Sequence, residues 1–190
     1  MTDHNPSSMG VGAAAPQFYR VFHFDDEIHT VNWIPLSIYE TLCDHYPSLE
    51  DDPAGFVRKG KGRQVEICVN EANTPFKIIY NITDDIEAFE SMLKHIIPDD
   101  LSRTLIIIDL MMPYSAAGIT SNAGESIFNS RNAEEKMRIM FLTAYRRGVK
   151  QEILNEIGND RVWEKPPPIE EFTEAVLNML GIKYRTKRGR

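Results

Sequence analysis

Leu105-Ile106-Ile107-Ile108-Asp109-Leu110-Met111-Met112-Pro113 is the stretch that decides the fold. Four aliphatic residues in succession, with no polar alternation, do not suit a strand with one wet face; they read as a strand covered on both faces. The run ends on a carboxylate, and Pro113, four residues further on, suits a strand-to-helix loop. A doubly covered strand needs neighbours of its own kind. The chain supplies them at Tyr19 to Phe24, Phe76 to Tyr80, Ile139 to Leu142 and, more weakly, Arg161 to Trp163.

Amphipathic segments separate these runs. Ile86, Phe89, Leu93 and Ile96 keep helical spacing behind a Thr83-Asp84 cap signal, and Val149, Ile153 and Ile157 share a face that Gly158 closes. A last helix places Ile169, Phe172, Val176 and Met179 on one stripe. It carries Glu170 and Glu171 in its first turn, where the macrodipole favours carboxylates, and stops at Gly181. Alternation of strand and helix predicts an α/β fold: a doubly wound, five-stranded parallel sheet with right-handed crossovers and helices on both faces.

The length, 190 residues, suits one domain with extensions. Residues 1–17, rich in Gly, Ala, Ser and Pro, are expected to be a flexible leader, 18–181 the domain, and 182–190 a basic tail. The net charge of −7 conceals an asymmetry, because five of the 21 basic residues fall in the last eight positions. The rest carries 16 basic against 28 acidic residues, a balance of −12 that repels a phosphate backbone and argues against nucleic-acid binding. No apolar stretch approaches the roughly 20 residues of a membrane span, and the first thirty residues lack a secretory plan, so a cytoplasmic protein is expected. Cys43 and Cys68 lack metal or redox spacing and read as reduced small hydrophobes. The five histidines, His4, His23, His29, His45 and His95, show no ligand spacing, and Gly118 and Gly124 form no nucleotide fingerprint.

In open parallel sheets the reactive crevice lies beyond the carboxyl ends of the strands. Here the first strand runs into Asp25-Asp26-Glu27, the third into Asp109, the fourth into Thr143-Ala144 and the fifth into Glu164-Lys165-Pro166. Taken singly, each has an ordinary explanation: a turn or helix cap for the acids, an N-cap for Thr143, a surface charge beside a stiff turn for Lys165. Their joint order is the signal. Asp25, Asp26 and Asp109 brought to one edge would repel one another unless a cation sat among them, and a hard, oxygen-liganded ion, Mg²⁺ or Mn²⁺, meets that need. Such an ion polarises a phosphodonor, and Asp109 can then attack phosphorus to give an acyl phosphate. Lys165 and the Thr143 hydroxyl are placed to neutralise and bond the remaining phosphoryl oxygens.

This pattern resembles the receiver domain of two-component response regulators. The matching elements are Asp25 and Asp26, the Asp109-Leu110-Met111-Met112-Pro113 turn, Thr143 before Ala144, and Lys165-Pro166, with 22 residues from Thr143 to Lys165. The resemblance covers roughly Tyr19 to Leu180. It implies a flavodoxin-like strand order 2-1-3-4-5, a Met111 backbone carbonyl as a further metal ligand, and a cis Lys165-Pro166 bond. It also implies phosphorylation of Asp109 by a histidine kinase or histidine phosphotransfer protein. Output is then expected through contacts with a separate downstream protein, since no effector domain follows Gly181. The site accepts a phosphoryl group and can release it, without turnover as an enzyme. A receiver whose site is spent, kept as a constitutive scaffold module, is the alternative. An aspartyl-nucleophile phosphatase would want an acid where Met111 stands.

Several departures from the family stand out. Residues 48–74 form an insertion in which Gly60-Lys61-Gly62 suggests a β-hairpin or loop, and residues 114–124 lengthen the loop after Asp109, as a lid or a mobile segment. Pro35 fits the start of a helix better than its middle, so the loop after Asp26 is expected to be extended. Val162 occupies the place of the family's switch aromatic, leaving Trp163 displaced. Met111 and Tyr145 are bulky where family members tune water's approach, which implies a long-lived acyl phosphate.

Overall fold

The apolar runs become strands because they can bury both faces, and period-two alternation then divides each strand between two cores. The computed structural model describes residues 15–50, 55–60, 63–71, 75–96, 98–110, 113–116 and 119–184. The strands are β1 (Gln17–Phe24), β2 (Phe56–Lys59), β3 (Gln64–Val69), β4 (Phe76–Thr83), β5 (Thr104–Ile108), β6 (Pro113–Ala116), β7 (Ile119–Asn122), β8 (Ile139–Thr143) and β9 (Val162–Glu164). The helices are α1 (Ile28–Val31), α2 (Trp33–His45), α3 (Ile86–Lys94), α4 (Ala123–Asn129), α5 (Ala133–Lys136), α6 (Gln151–Ile157) and α7 (Ile169–Leu180). No helix among the described residues is long and apolar enough to cross a membrane.

The five-stranded, all-parallel sheet expected from the sequence is corrected to a mixed sheet of seven strands in the order β2-β3-β4-β1-β5-β8-β9. β4, β1, β5, β8 and β9 run parallel to one another, whereas β2 and β3 join antiparallel at the β4 edge. The extra pair comes from the insertion at 48–74. A hairpin needs only a short turn, and Gly60, at φ 56°, supplies the left-handed residue there. The insertion at 114–124 likewise departs from a plain loop: β6 and β7 pair antiparallel as a separate two-stranded ribbon, and Ala123 and Gly124 already belong to α4.

Tyr19, Val21, Leu105, Ile107, Met140 and Leu142 point to one core, beneath α2 and α7. Phe22, Phe24, Ile106, Ile108, Ile139 and Phe141 point to the other, beneath α3, α4 and α6. Each such side chain, taken fully out of water, contributes roughly 1.5–3 kcal/mol, so alternation along β1, β5 and β8 clamps the sheet from both sides. Pro35 lies in the first turn of α2, where its missing N–H costs no interior bond, and the extended loop expected after Asp26 is corrected: α1 starts at Ile28, and Asn32 between α1 and α2 keeps right-handed helical dihedrals, φ −61° and ψ −12°.

Two helix readings are corrected. The cap of α3 is Asp85, whose Oδ1 accepts from the N–H groups of Glu87 and Ala88 at 2.9 and 3.1 Å; Thr83 instead accepts from Asp85 N–H. In α7 the buried face is Phe172, Thr173, Val176, Leu177 and Leu180, while Ile169 is 52% exposed. The rotation follows from packing on α2, where Ser37 and Thr173 share a buried hydroxyl contact of 2.8 Å. The expected leader falls almost wholly, and the basic tail from 185 on, outside the described residues; β1 starts at Gln17.

Candidate functional site

Parallel register decides which residues meet at the carboxyl ends. Phe24 of β1 faces Ile108 of β5, so Asp25 and Asp109 are each the first residue past the ladder, and Asp109 N–H donates to the Phe24 carbonyl at 2.9 Å. Asp25 N–H donates in turn to the Thr83 carbonyl of β4 at 3.1 Å. On the other side Thr143 of β8 faces Glu164 of β9, and Lys165 N–H donates to the Thr143 carbonyl at 2.9 Å. Backbone bonds beyond the strand ends therefore fix every one of these residues before any side chain is considered.

The structure brings Asp25, Asp26, Asp109 and Lys165 together. Carboxylate oxygens of the three aspartates lie within 4.8 Å of one another; Asp25 and Asp109 are buried and Asp26 is exposed. The Lys165 ammonium donates to Asp109 Oδ2 at 2.8 Å and straddles Asp25, at 2.9 Å from Oδ1 and 2.8 Å from Oδ2. Its stem arrives through the Lys165-Pro166 peptide, which is cis. Glu27 adds a fourth carboxylate, with Oε2 3.4 Å from the ammonium, and its N–H donates to Asp25 Oδ1 at 2.8 Å. Thr143 is fully buried at the same rim, its hydroxyl accepting from Tyr145 N–H at 3.4 Å. Met111 lies outside the described residues.

Burial and charge pull against each other here. Desolvation alone would raise the Asp25 carboxyl, but hydrogen bonds and charge from His23 and Lys165 outweigh it and hold the group below the usual aspartate range. Burial alone would lower the Lys165 ammonium, but Asp109 and Asp25 hold it above the usual lysine range. The arrangement thus keeps the buried Asp25 carboxylate ionised beside the Lys165 cation. Asp25, Asp26 and Asp109 against Lys165 still leave an excess of negative charge, and a clustered set of carboxylate oxygens suits a hard divalent cation such as Mg²⁺ or Mn²⁺.

Three contributors escaped the sequence reading. Glu27 was quoted with the acidic pair but given no role. Gly124, in the first turn of α4, lies so close that a Cβ there would meet the Asp109 carbonyl oxygen at 2.2 Å and Leu110 Cα at 2.8 Å. The absence of a side chain lets α4 sit against the backbone that carries Asp109. His23, fully buried behind Asp25, places Nε2 3.3 Å from Oδ2. The available signal was a polar residue at an inward position of β1.

Neither the protein-family models nor the curated proteins searched include a match to this chain.

Proposed function

We propose that this chain is a receiver-type phosphoacceptor protein of a two-component phosphorelay, phosphorylated on Asp109 with the help of Mg²⁺ or Mn²⁺. The observation that carries the reading is the Lys165 ammonium bonded at once to Asp109 Oδ2 and to Asp25, with Asp26 in the same cluster. Two features of the sheet support it. Within the seven-stranded order β2-β3-β4-β1-β5-β8-β9, the five mutually parallel strands β4-β1-β5-β8-β9 are adjacent, and the antiparallel β2-β3 pair is added at one edge. The four chemical residue types stand at the ends of the first, third, fourth and fifth of those parallel strands in chain order.

A divalent cation at Asp25, Asp26 and Asp109 supplies neutralisation of the phosphoryl oxygens when bound. Asp109 is the nucleophile: a carboxylate oxygen forms a bond to phosphorus as the bond from phosphorus to its donor atom breaks, and the donor leaves with that electron pair. Lys165 begins 2.8 Å from Asp109 Oδ2 and is thereby placed to bond an oxygen of the transferred group. Thr143, held at the same edge, offers a hydroxyl to another. The donor is a histidine kinase or a histidine phosphotransfer protein, and output passes by protein contacts to a downstream partner. The acidic body disfavours nucleic acid as that partner. The intact set Asp25, Asp26, Asp109, Thr143 and Lys165 favours a working site over a constitutive scaffold.

The test is incubation of the purified protein with Mg²⁺ and acetyl phosphate or phosphoramidate, followed by intact-mass measurement. The expected result is a single acid-stable, base-labile phosphoryl adduct that Asp109→Asn abolishes. An adduct that survives Asp109→Asn, or none on the wild-type protein, rejects the proposal.

A further inference from the structure

A helix that ends on the surface must still hand its chain on in some direction. At the end of α7, Gly181 takes φ 72°, its N–H donates to the Asn178 carbonyl, and Ile182 N–H donates to the Leu177 carbonyl, both at 3.0 Å. These bonds turn the chain off the helix. Ile182 then packs into the core at 5% exposure, the Tyr46 hydroxyl donates to the Lys183 carbonyl at 3.2 Å, and the Tyr184 hydroxyl donates to the carbonyl of Glu174, ten residues earlier, at 3.3 Å. Tyr184 is thereby laid back along α7, with Arg185 next in line.

Beside that point lies a groove of about 480 Å³ between α7 and β9. Its floor is apolar, formed by the fully buried Met140 of β8 with Trp163 and Met179. Its rim is acidic: Glu171 and Glu174, one turn apart on α7, and Asp160 from the turn before β9. Glu174, whose carbonyl holds Tyr184, belongs to that rim, so the groove begins where the chain leaves the fold. Arg161 lines it too, but its guanidinium donates to the carbonyls of Ile157, Lys136 and Met137 at 2.6, 3.2 and 3.0 Å. Three carboxylates against that one cation leave the lining with a charge of −2.

An apolar floor under an acidic rim suits a long side chain with a cationic end. Arginine fits best, because its stem packs on methionine while its guanidinium stacks on indole or forks onto a carboxylate. The chain carries such side chains directly after Tyr184: Arg185, Lys187, Arg188 and Arg190, with no acid among residues 185–190. Reach is ample. Glu171 is three residues along the helix from Glu174, about 4.5 Å, whereas six extended residues span up to about 20 Å. A short tether also holds the segment near its groove at an effective concentration of about millimolar, so surface ion pairs that are weak between separate molecules suffice within one.

We propose that the groove between α7 and β9 is the docking site of this chain's own basic segment, Arg185 to Arg190, seated in the same molecule by its arginines. The phosphoacceptor reading is not needed for this inference. While seated, the segment keeps any other basic partner out of the groove.

The test treats the full-length protein, at low ionic strength, with a zero-length carbodiimide that joins an ammonium to a carboxylate in contact with it, and identifies the linked peptides by mass spectrometry. Lys187 is the reporter. The expected products join it to Asp160, Glu171 or Glu174. Links spread evenly over exposed acids outside the groove, such as Glu134, Glu164 and Glu170, overturn the proposal, and so does the absence of links to the groove. Mixing ¹⁴N- and ¹⁵N-labelled protein before the reaction separates the sources: linked pairs of a single isotope are expected, and mixed pairs would give the groove to a second copy and overturn the intramolecular docking. Arg185→Gln with Arg188→Gln leaves Lys187 reactive and is expected to lose the links. Salt at about 1 M, where the Debye length is about 3 Å, is expected to do the same without any substitution. Links that persist under either condition overturn the claim that the arginines seat the segment.

Discussion

Lys165→Met removes the ammonium and keeps most of the apolar stem, so it isolates what that charge does for the fold. In the metal-free protein it leaves Asp25 and Asp109, at 0% and 5% side-chain exposure, with their shared cation gone. At an effective dielectric of about 20, opposite charges 2.8 Å apart attract by roughly 6 kcal/mol, and Lys165 makes that contact with both carboxylates. Desolvation of the ammonium offsets several kcal/mol of the gross attraction; loss of one partner from such buried pairs has a net cost of about 3–5 kcal/mol. For a chain of this length each kcal/mol moves the melting temperature by about 2–4 °C, so a loss of about 4 kcal/mol means a fall of about 8–16 °C. The assay is thermal unfolding by circular dichroism at neutral pH, with chelator and again with saturating Mg²⁺. The deficit should shrink in Mg²⁺, because a dication among the carboxylates supplies the missing charge. It should also shrink in the double variant Lys165→Met/Asp109→Asn, which removes the uncompensated acid, and the non-additivity measures the pair directly. A fall below about 2 °C in the metal-free protein, under 1 kcal/mol at this size, would refute the claim that Lys165 holds the carboxylates together.

Gly124→Ala should cost about 1–3 kcal/mol in urea unfolding, as overpacking does, because its methyl cannot coexist with the Asp109 carbonyl at 2.2 Å. The same variant should take up less phosphoryl from acetyl phosphate, since relief of the clash moves the nucleophile's backbone. Stability of the metal-free protein should also follow two opposite limbs of pH. Asp25 is depressed below its ordinary 3.8, so its contribution is complete above that value and is lost as pH falls through the lower folded value. Lys165 is raised above its ordinary 10.5, so its contribution is complete below that value and is lost as pH rises through the higher folded one. Urea midpoints should therefore owe nothing to the titration of Asp25 and Lys165 between those limits, and Asp25→Asn should flatten the acid limb.

The parallel strands and the acidic, hydroxyl and lysine residues at their ends were legible because both are properties of the chain read in one dimension. A run such as Leu105 to Ile108 announces burial on two faces, and the residue where the run stops is the residue the sheet delivers to its rim. Parallel register does the rest: Asp25 and Asp109 become neighbours because Phe24 and Ile108 are paired, whatever lies in the 83 residues between. What was not legible depends on contacts the chain order does not encode. The buried face of α7 includes Thr173, which hydropathy passes over, because its partner is Ser37, 136 residues away. The pairing of β3 with β4, rather than with nothing, follows from an open sheet edge and not from any feature of Gln64 to Val69 alone. His23 is the sharpest case. Read along β1 it is a polar interruption of an apolar strand, and it acquires meaning from Tyr80, 57 residues on, and from Asp25, whose Oδ2 lies 3.3 Å from its Nε2. A single strand read from sequence can therefore nominate the ligand at its end, whereas the groups that orient that ligand come from the strand beside it and need the folded register to be found.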